Sequence, residues 1–185
     1  ILTTDEEQRL LAVCVNERQH LKPIIMLAVD SGLRRGEIFK LQWKDIDFEK
    51  NIINVAASIT KTERNKIVPL SQRVKDELLD LQPYSNSDRP FPFVEIKRAF
   101  NTAKRLAKIE DLHFHDLRRT AVVRWVQNGV PLALAGKLAG HSELQTTMKH
   151  YIANDIETVQ GVVEKLNAFH SQINGKAEIA SGMVN

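Results

Sequence analysis

Only one stretch of the chain departs from a helical hydrophobic rhythm. Between Asn51 and Leu70 the residues turn β-branched, as Ile52-Ile53-Asn54-Val55 and again as Ile67-Val68, around the polar run Thr60-Lys61-Thr62-Glu63-Arg64-Asn65-Lys66. Two short runs of this kind predict a small antiparallel hairpin with a mobile charged tip. On both sides apolar residues recur every three or four positions, which predicts amphipathic helices. The fold class is therefore mainly α with a small antiparallel β-sheet, an α+β chain.

Punctuation places the helices. Thr4 with Glu7 three residues on forms a capping box ahead of Leu10, Leu11, Val13 and Cys14. A second helix is expected from about Pro23, through Ile24, Met26, Leu27 and Val29, to a stop at Gly32, and a short one over Glu37 to Leu41. Beyond the hairpin, Gln72–Leu81 reads as a helix and Pro83-Tyr84-Ser85-Asn86-Ser87-Asp88-Arg89-Pro90 as the clearest loop. Over 95–109, Ile96, Phe100, Ala103, Leu106 and Ala107 make one apolar stripe, with Lys97, Lys104 and Lys108 on another face. Helices then follow at about His115 to Gln127, Pro131 to Ala139, Ser142 to Tyr151 and Ile156 to Phe169. Trp43 and Trp125 sit among apolar neighbours as core residues, and Cys14 reads as inert packing.

The 185 residues suit one domain, expected over 1–170, with a small, polar and flexible tail over 171–185. An apolar fraction of 43% and a charged fraction of 26% are ordinary for a globular chain, and no apolar run is long enough for a membrane span. The single cysteine rules out an internal disulfide, and the polar, acidic opening after Ile1 has no signal-peptide character, so an excised fragment working in the cytoplasm is expected. The net charge of +3 is unevenly spread: residues 1–92 hold 14 basic and 14 acidic side chains, and residues 93–185 hold 12 and 9. Lys97, Arg98, Lys104, Arg105, Lys108, Arg118, Arg119 and Arg124 face only Glu110, Asp111 and Asp116 within 97–124, a surplus of five that reads either as a phosphate-binding face or as a solvated helix face.

Three groups could carry chemistry. His115-Asp116-Leu117-Arg118 puts an imidazole and a guanidinium three residues apart on one helix, able to grip a phosphate from two directions, although such a pair alone is more often a capped helix start. Gly140-His141-Ser142 offers a second imidazole in a turn, ahead of a Ser142/Gln145 capping box, and Tyr151 lies ten residues after His141. A turn histidine or a lone tyrosine is usually a surface or rim residue.

Taken together and in order, these motifs resemble the catalytic domain of the tyrosine recombinase (phage integrase) family. Ser31-Gly32-Leu33-Arg34-Arg35-Gly36-Glu37 is similar to the family's first box, which points to Arg34 as catalytic and to Glu37 as its supporting carboxylate. Thr60-Lys61-Thr62, followed by Ile67-Val68-Pro69-Leu70, is similar to the hairpin that carries the catalytic lysine, here Lys61. His115-Asp116-Leu117-Arg118-Arg119-Thr120, Leu138-Ala139-Gly140-His141-Ser142 and Thr146-Thr147-Met148-Lys149-His150-Tyr151 resemble the second box. The resemblance spans about residues 1–165, with two small departures: Ala139, commonly leucine in the family, and the extra charge of Arg35.

It implies site-specific DNA recombination, by integration or excision, through a covalent 3′-phosphotyrosine. The six catalytic positions would be Arg34, Lys61, His115, Arg118, His141 and Tyr151, with double-stranded DNA as partner and no metal or other cofactor. It also implies a bacterial or mobile-element origin, a preceding core-binding domain absent from this sequence, and self-association on DNA as a tetrameric synapse in the full-length protein. Lys97, Lys104, Arg105, Lys108 and Arg119 are candidates for contacts to the DNA backbone.

The chemistry gives each residue type a reason. Charge developing on a phosphodiester's non-bridging oxygens is best held by planar, permanently charged guanidiniums. A phenol of ordinary pKa about 10 needs help to lose its proton, assigned to His115, and the leaving 5′-oxygen needs a proton, assigned to Lys61. His141 would donate to the phosphate. Two other readings stand beside this one: a non-catalytic helix-turn-helix DNA-binding module over 131–151, and DNA relaxation of the type IB topoisomerase kind.

Overall fold

Helix α2 (Leu21–Ser31) is apolar nearly all round, and a helix of that kind has to be surrounded. Leu21, Ile24, Ile25, Leu27 and Ala28 are completely buried. In the computed structural model, which describes residues 1–60, 63–93 and 95–140, the other elements assemble around it. Helix α1 (Thr4–Ala12) opens the chain, α3 (Arg35–Lys40) follows α2, and a three-stranded sheet of β1 (Ile46–Asp47), β2 (Ile52–Val55) and β3 (Lys66–Pro69) comes next. Helices α4 (Gln72–Leu81), α5 (Lys97–Leu106), α6 (Phe114–Gln127) and α7 (Leu132–Ala139) complete the described residues, all of which fall within one unit, 1–147. The expected helices over Ser142–Tyr151 and Ile156–Phe169 lie outside the described residues.

α2 packs against α6, α4, α3 and β3. It starts two residues before Pro23, which costs no hydrogen bond because first-turn N–H groups have no intrahelical acceptor. It stops at Gly32, whose φ of +63° lets its N–H close back on the Ala28 carbonyl at 3.1 Å. A smaller apolar cluster, Val122, Ala135 and Ala139 with Trp125, Val126 and Val130, joins α6 to α7.

The sheet is antiparallel throughout, in the order β1-β2-β3, with Ile53 opposite Val68 and Val55 opposite Lys66. The hairpin of the sequence reading is therefore present. The strand β1 was not anticipated, because two residues are too short for alternation to register. It is joined to β2 by a turn in which the Asp47 carboxylate accepts from the backbone N–H of Glu49 at 3.1 Å and of Lys50 at 2.8 Å.

One cap shifts by a residue. The capping box uses Thr3 and Glu6 rather than Thr4 and Glu7, with Thr3 N–H donating to Glu6 at 2.9 Å and Glu6 N–H to the Thr3 hydroxyl at 3.2 Å. Both frames satisfy the same spacing, but Glu7 is buried and committed to Arg73 of α4, at 2.8 Å, and to Arg124 of α6. Arg9 donates to the Ala107 carbonyl and so ties α1 to the end of α5. Both tryptophans are half-buried against the core and keep a polar contact, Trp43 to the Ser85 hydroxyl at 3.2 Å and Trp125 to the Asp30 carbonyl at 3.1 Å. Cys14 is buried, and desolvation raises its thiol to about 11, so it stays a packing residue.

Gly32 gives the sharpest stability test. A Cβ there would meet the Trp125 ring at 3.0 Å, on a backbone with φ of +63°. Left-handed backbone costs a residue with a Cβ about 1–2 kcal/mol, and displacing the ring adds to this. Gly32→Ala is expected to lower the melting temperature by about 3–8 °C, read by circular dichroism, whereas Gly36→Ala, where nothing lies within 4 Å, is expected to be neutral or slightly stabilising.

Candidate active site

The two arginines singled out in the sequence are delivered to one place by different elements. Arg34 is the residue on which α3 begins, in extended conformation with φ −71° and ψ 149°. Its backbone N–H donates to Glu37 Oε2 at 2.8 Å, and its guanidinium Nη1 donates to Glu37 Oε1 at 3.0 Å. The three-residue spacing of Arg34 and Glu37 is thus a helix-start device in which one carboxylate holds both the main chain and the side chain of the arginine. Arg34 Nη2 reaches the carbonyl of Gly140, at the left-handed end of α7, at 3.2 Å.

Arg118 comes from the second turn of α6 and is only 2% exposed. Its Nη1 donates to the Gly32 carbonyl at 2.8 Å, so the glycine that ends α2 also locates the second arginine. Its Nη2 is buried and has no partner among the described residues. Desolvation, then repulsion from Arg34, brings the Arg118 guanidinium down to about 10, partly offset by Glu37. It remains charged at neutral pH. A buried cation beside another cation is costly unless an anion joins them.

Glu37 is the counter-charge within this cluster. It is 2% exposed; burial alone would raise its carboxyl, but the hydrogen bonds and charges of Lys66 and Arg34 outweigh burial and hold it below the usual range. Lys66 Nζ lies 2.8 Å from Glu37 Oε2, and its side chain is only 9% exposed. Lys66 was not singled out in the sequence. The signal was alternation: in β3, Lys66 and Val68 share the inner face while Ile67 is exposed, so a strand reading of Lys66-Ile67-Val68 puts a lysine inside.

His115, exposed in the first turn of α6, has its imidazole lowered by desolvation first and then by Arg118, Arg119 and Arg34. At neutral pH it is uncharged and able to take a proton. Asp116 accepts the His113 backbone N–H at 2.7 Å and Arg119 Nη1 at 2.8 Å, which fixes the start of α6. Arg119 is therefore charge-matched by Asp116. Lys104 donates to the Leu112 carbonyl, and Lys97, Arg105 and Lys108 are exposed around α5. Lys61, His141 and Tyr151 lie outside the described residues.

Buried Arg118 and Glu37 with half-buried Arg34 make a positively charged corner, with His115 exposed beside it, that can hold an anion from two sides and take up a proton next to it. A model of the phage integrase family matches residues 1–158. The chain belongs to the phage integrase family. The match spans both arginine boxes and the hairpin, which leaves an isolated helix-turn-helix module as the weaker account.

Among relatives of this phage integrase family chain, a shufflon-specific DNA recombinase of Escherichia coli is 31% identical over 153 residues, covering 81% of this chain and 39% of its own. The tyrosine recombinase XerA of Pyrococcus furiosus is 24% identical, over 95% of this chain and 64% of its own. The chain spans about two fifths to one half of the first three curated relatives it matches, at 39%, 44% and 51% of their lengths. Among solved structures, the catalytic domain of bacteriophage HP1 integrase superposes with a TM-score of 0.68 at 26% identity, covering 89% of this chain and 93% of its own. The fold is thus that of the tyrosine-recombinase catalytic domain, mainly helical with one small sheet.

Glu37→Gln keeps the shape but leaves Lys66 buried beside a neutral amide. Breaking a buried pair by removing one charge is expected to cost about 3 kcal/mol at pH 7 in denaturant unfolding. Because the folded-state carboxyl lies below its ordinary 4.5, the stability it supplies is present above that pH and lost as pH falls through the folded value. The gap between wild type and E37Q should therefore narrow below pH 4.5; a gap unchanged down to pH 3 would contradict the assignment.

Proposed function

We propose that the chain is the catalytic domain, expected over 1–170, of a site-specific DNA recombinase that cuts and rejoins strands through a covalent 3′-phosphotyrosine. The observation that carries the reading is the pair of guanidiniums, Arg34 and Arg118, fixed in one corner by Glu37 and by the Gly32 carbonyl. A soluble small anion needs no such rigid, two-sided grip. A phosphodiester undergoing in-line displacement does, because charge grows on both non-bridging oxygens while the bonds to the attacking and leaving oxygens change.

In the proposed step the Tyr151 hydroxyl attacks phosphorus, its proton passing to His115. The bond from phosphorus to the 5′-oxygen breaks, and that oxygen takes a proton from Lys61, while His141 donates to the phosphate. One phosphoester replaces another, so the energy of the broken bond is kept and a 5′-hydroxyl of a second strand can reverse the step. Support for a DNA substrate comes from the basic surplus around α5 and α6 and from related integrases solved with DNA, such as the Tn1549 transposon integrase in complex with a circular intermediate DNA and the lambda integrase dimer bound to a core site. Pairing of sites in the full-length protein, as a tetrameric synapse, belongs to the same proposal, as does a mobile-element origin.

The test uses the full-length protein and a nicked suicide duplex. Tyr151→Phe is expected to retain DNA binding and lose the covalent adduct, seen as a shifted band after denaturing electrophoresis; adduct persisting in that variant would overturn the nucleophile. Arg118→Lys, which keeps charge but not the two-pronged geometry, should slow cleavage by about 100-fold or more. Cleavage is expected to continue in excess EDTA, since the charge at the phosphate comes from side chains.

A further inference from the structure

The sheet turns a lysine inward and an isoleucine outward. In β3, Lys66 shares the buried face with Val68 while Ile67 is 55% exposed, the reverse of what hydrophobicity alone would choose. The reason lies on α3, where Lys66 Nζ meets Glu37 Oε2 at 2.8 Å. The same oxygen accepts the Arg34 N–H at 2.8 Å, and the other carboxylate oxygen accepts Arg34 Nη1 at 3.0 Å. Gly140, whose carbonyl receives Arg34 Nη2, closes over the lysine stem: a Cβ on Gly140 would stand 3.5 Å from Lys66 Cδ and 3.9 Å from Arg34 Nη1.

We propose that Lys66 is a positioning residue for the reaction: it holds the Glu37 carboxylate through the same oxygen that accepts the Arg34 N–H, so that the carboxylate aims the Arg34 guanidinium at the phosphate. Lys66 touches no substrate in this role and acts only through Glu37. The inference rests on the reading of the chain as a DNA-cleaving recombinase.

The charges around Glu37 support it. Arg34 faces it from its own helix, Lys66 from β3, Arg118 from α6, and α7 contributes the Gly140 carbonyl rather than a charge. His115, also on α6, is the other titratable group nearby; its imidazole is lowered by desolvation first and then by the arginines, with Asp116 opposing. Burial would raise the Glu37 carboxyl, and Lys66 supplies the largest opposing effect. Burial in turn lowers the Lys66 ammonium, and Glu37 is what offsets this. Neither charge suits its place without the other. Removing the ammonium while keeping its volume should let Glu37 take up a proton at a higher pH, after which a neutral carboxyl can no longer orient Arg34 through two acceptor oxygens.

The experiment compares wild type, K66M, K66R, E37Q and K66M/E37Q in the full-length protein. The probe is a nicked suicide duplex selected by the wild-type protein from random-sequence DNA. Cleavage rate at saturating DNA, DNA affinity and folded fraction are measured from pH 5 to 8. K66M is expected to cut about 10–100-fold more slowly, with affinity within about 3-fold of wild type. Its rate should also gain a falling limb towards acid in addition to the one that protonation of His115 gives wild type. K66R, which keeps a cation against Glu37, should recover most of the rate, and the new limb should be missing from K66M/E37Q.

A K66M rate equal to wild type with no new limb would overturn the inference while leaving the recombinase reading intact. So would a loss of rate explained wholly by a lower folded fraction. Absence of any adduct with wild-type protein on its selected duplex would instead overturn the recombinase reading itself, and the inference with it.

Discussion

A carboxylate with almost no access to water stands between two cations, and much of the structure follows from that. Glu37 joins the start of α3 to β3 through Lys66, and it holds Arg34 by both main chain and side chain. Such a cluster is expensive to bury and tolerable only when every charge has a partner with good geometry. Removing one member strands the others. The elements that present them, α3, β3 and the end of α7, are therefore fixed relative to one another by the same interaction that shapes the site.

The second arginine is located by different means. Arg118 is held by a main-chain carbonyl, that of Gly32, and this carbonyl is where it is because α2 ends in a left-handed glycine packed against Trp125. The site thus draws on the apolar core through a helix terminus and on the sheet through a salt bridge. A guanidinium held by a neutral carbonyl keeps its full charge for an incoming anion, whereas one held by a carboxylate shares it. Arg34 and Arg118 differ in this respect, and Arg118 is brought down by burial first and then by the charge of Arg34.

Much of this was legible in the chain, for local reasons. α4 runs over Gln72–Leu81 as the apolar spacing and the loop after it indicate, and Gly32 ends α2 because only a residue without a Cβ fits there. The Arg34 and Glu37 pairing follows from a spacing of three at a helix start. What escaped depends on partners distant in sequence. Thr3 caps α1 in place of Thr4 because Glu7 is claimed by Arg73 and Arg124, which no local window contains. β1 is too short to alternate. Lys66 looked like part of a charged loop until the strand began one residue earlier than the β-branched run, a shift that turns it inward. The exposed basic face expected around α5 is thinner than its sequence suggests, since Lys104 is spent on the Leu112 carbonyl and Arg119 on Asp116.

The inward lysine also settles a choice that the apolar residues leave open. If β3 slid by one position along β2, Ile67 would replace Val68 on the buried face, and the core would hardly distinguish an isoleucine from a valine. Hydrophobic matching is nearly degenerate between the two alignments. The pairing of Val55 with Lys66 is singled out because only then does an ammonium meet Glu37. Charge here works as a ruler: each position of slippage would shift the strand by about 3.3 Å. By pinning the first residue of β3, Glu37 fixes the point from which the chain on the far side of Lys61 is measured.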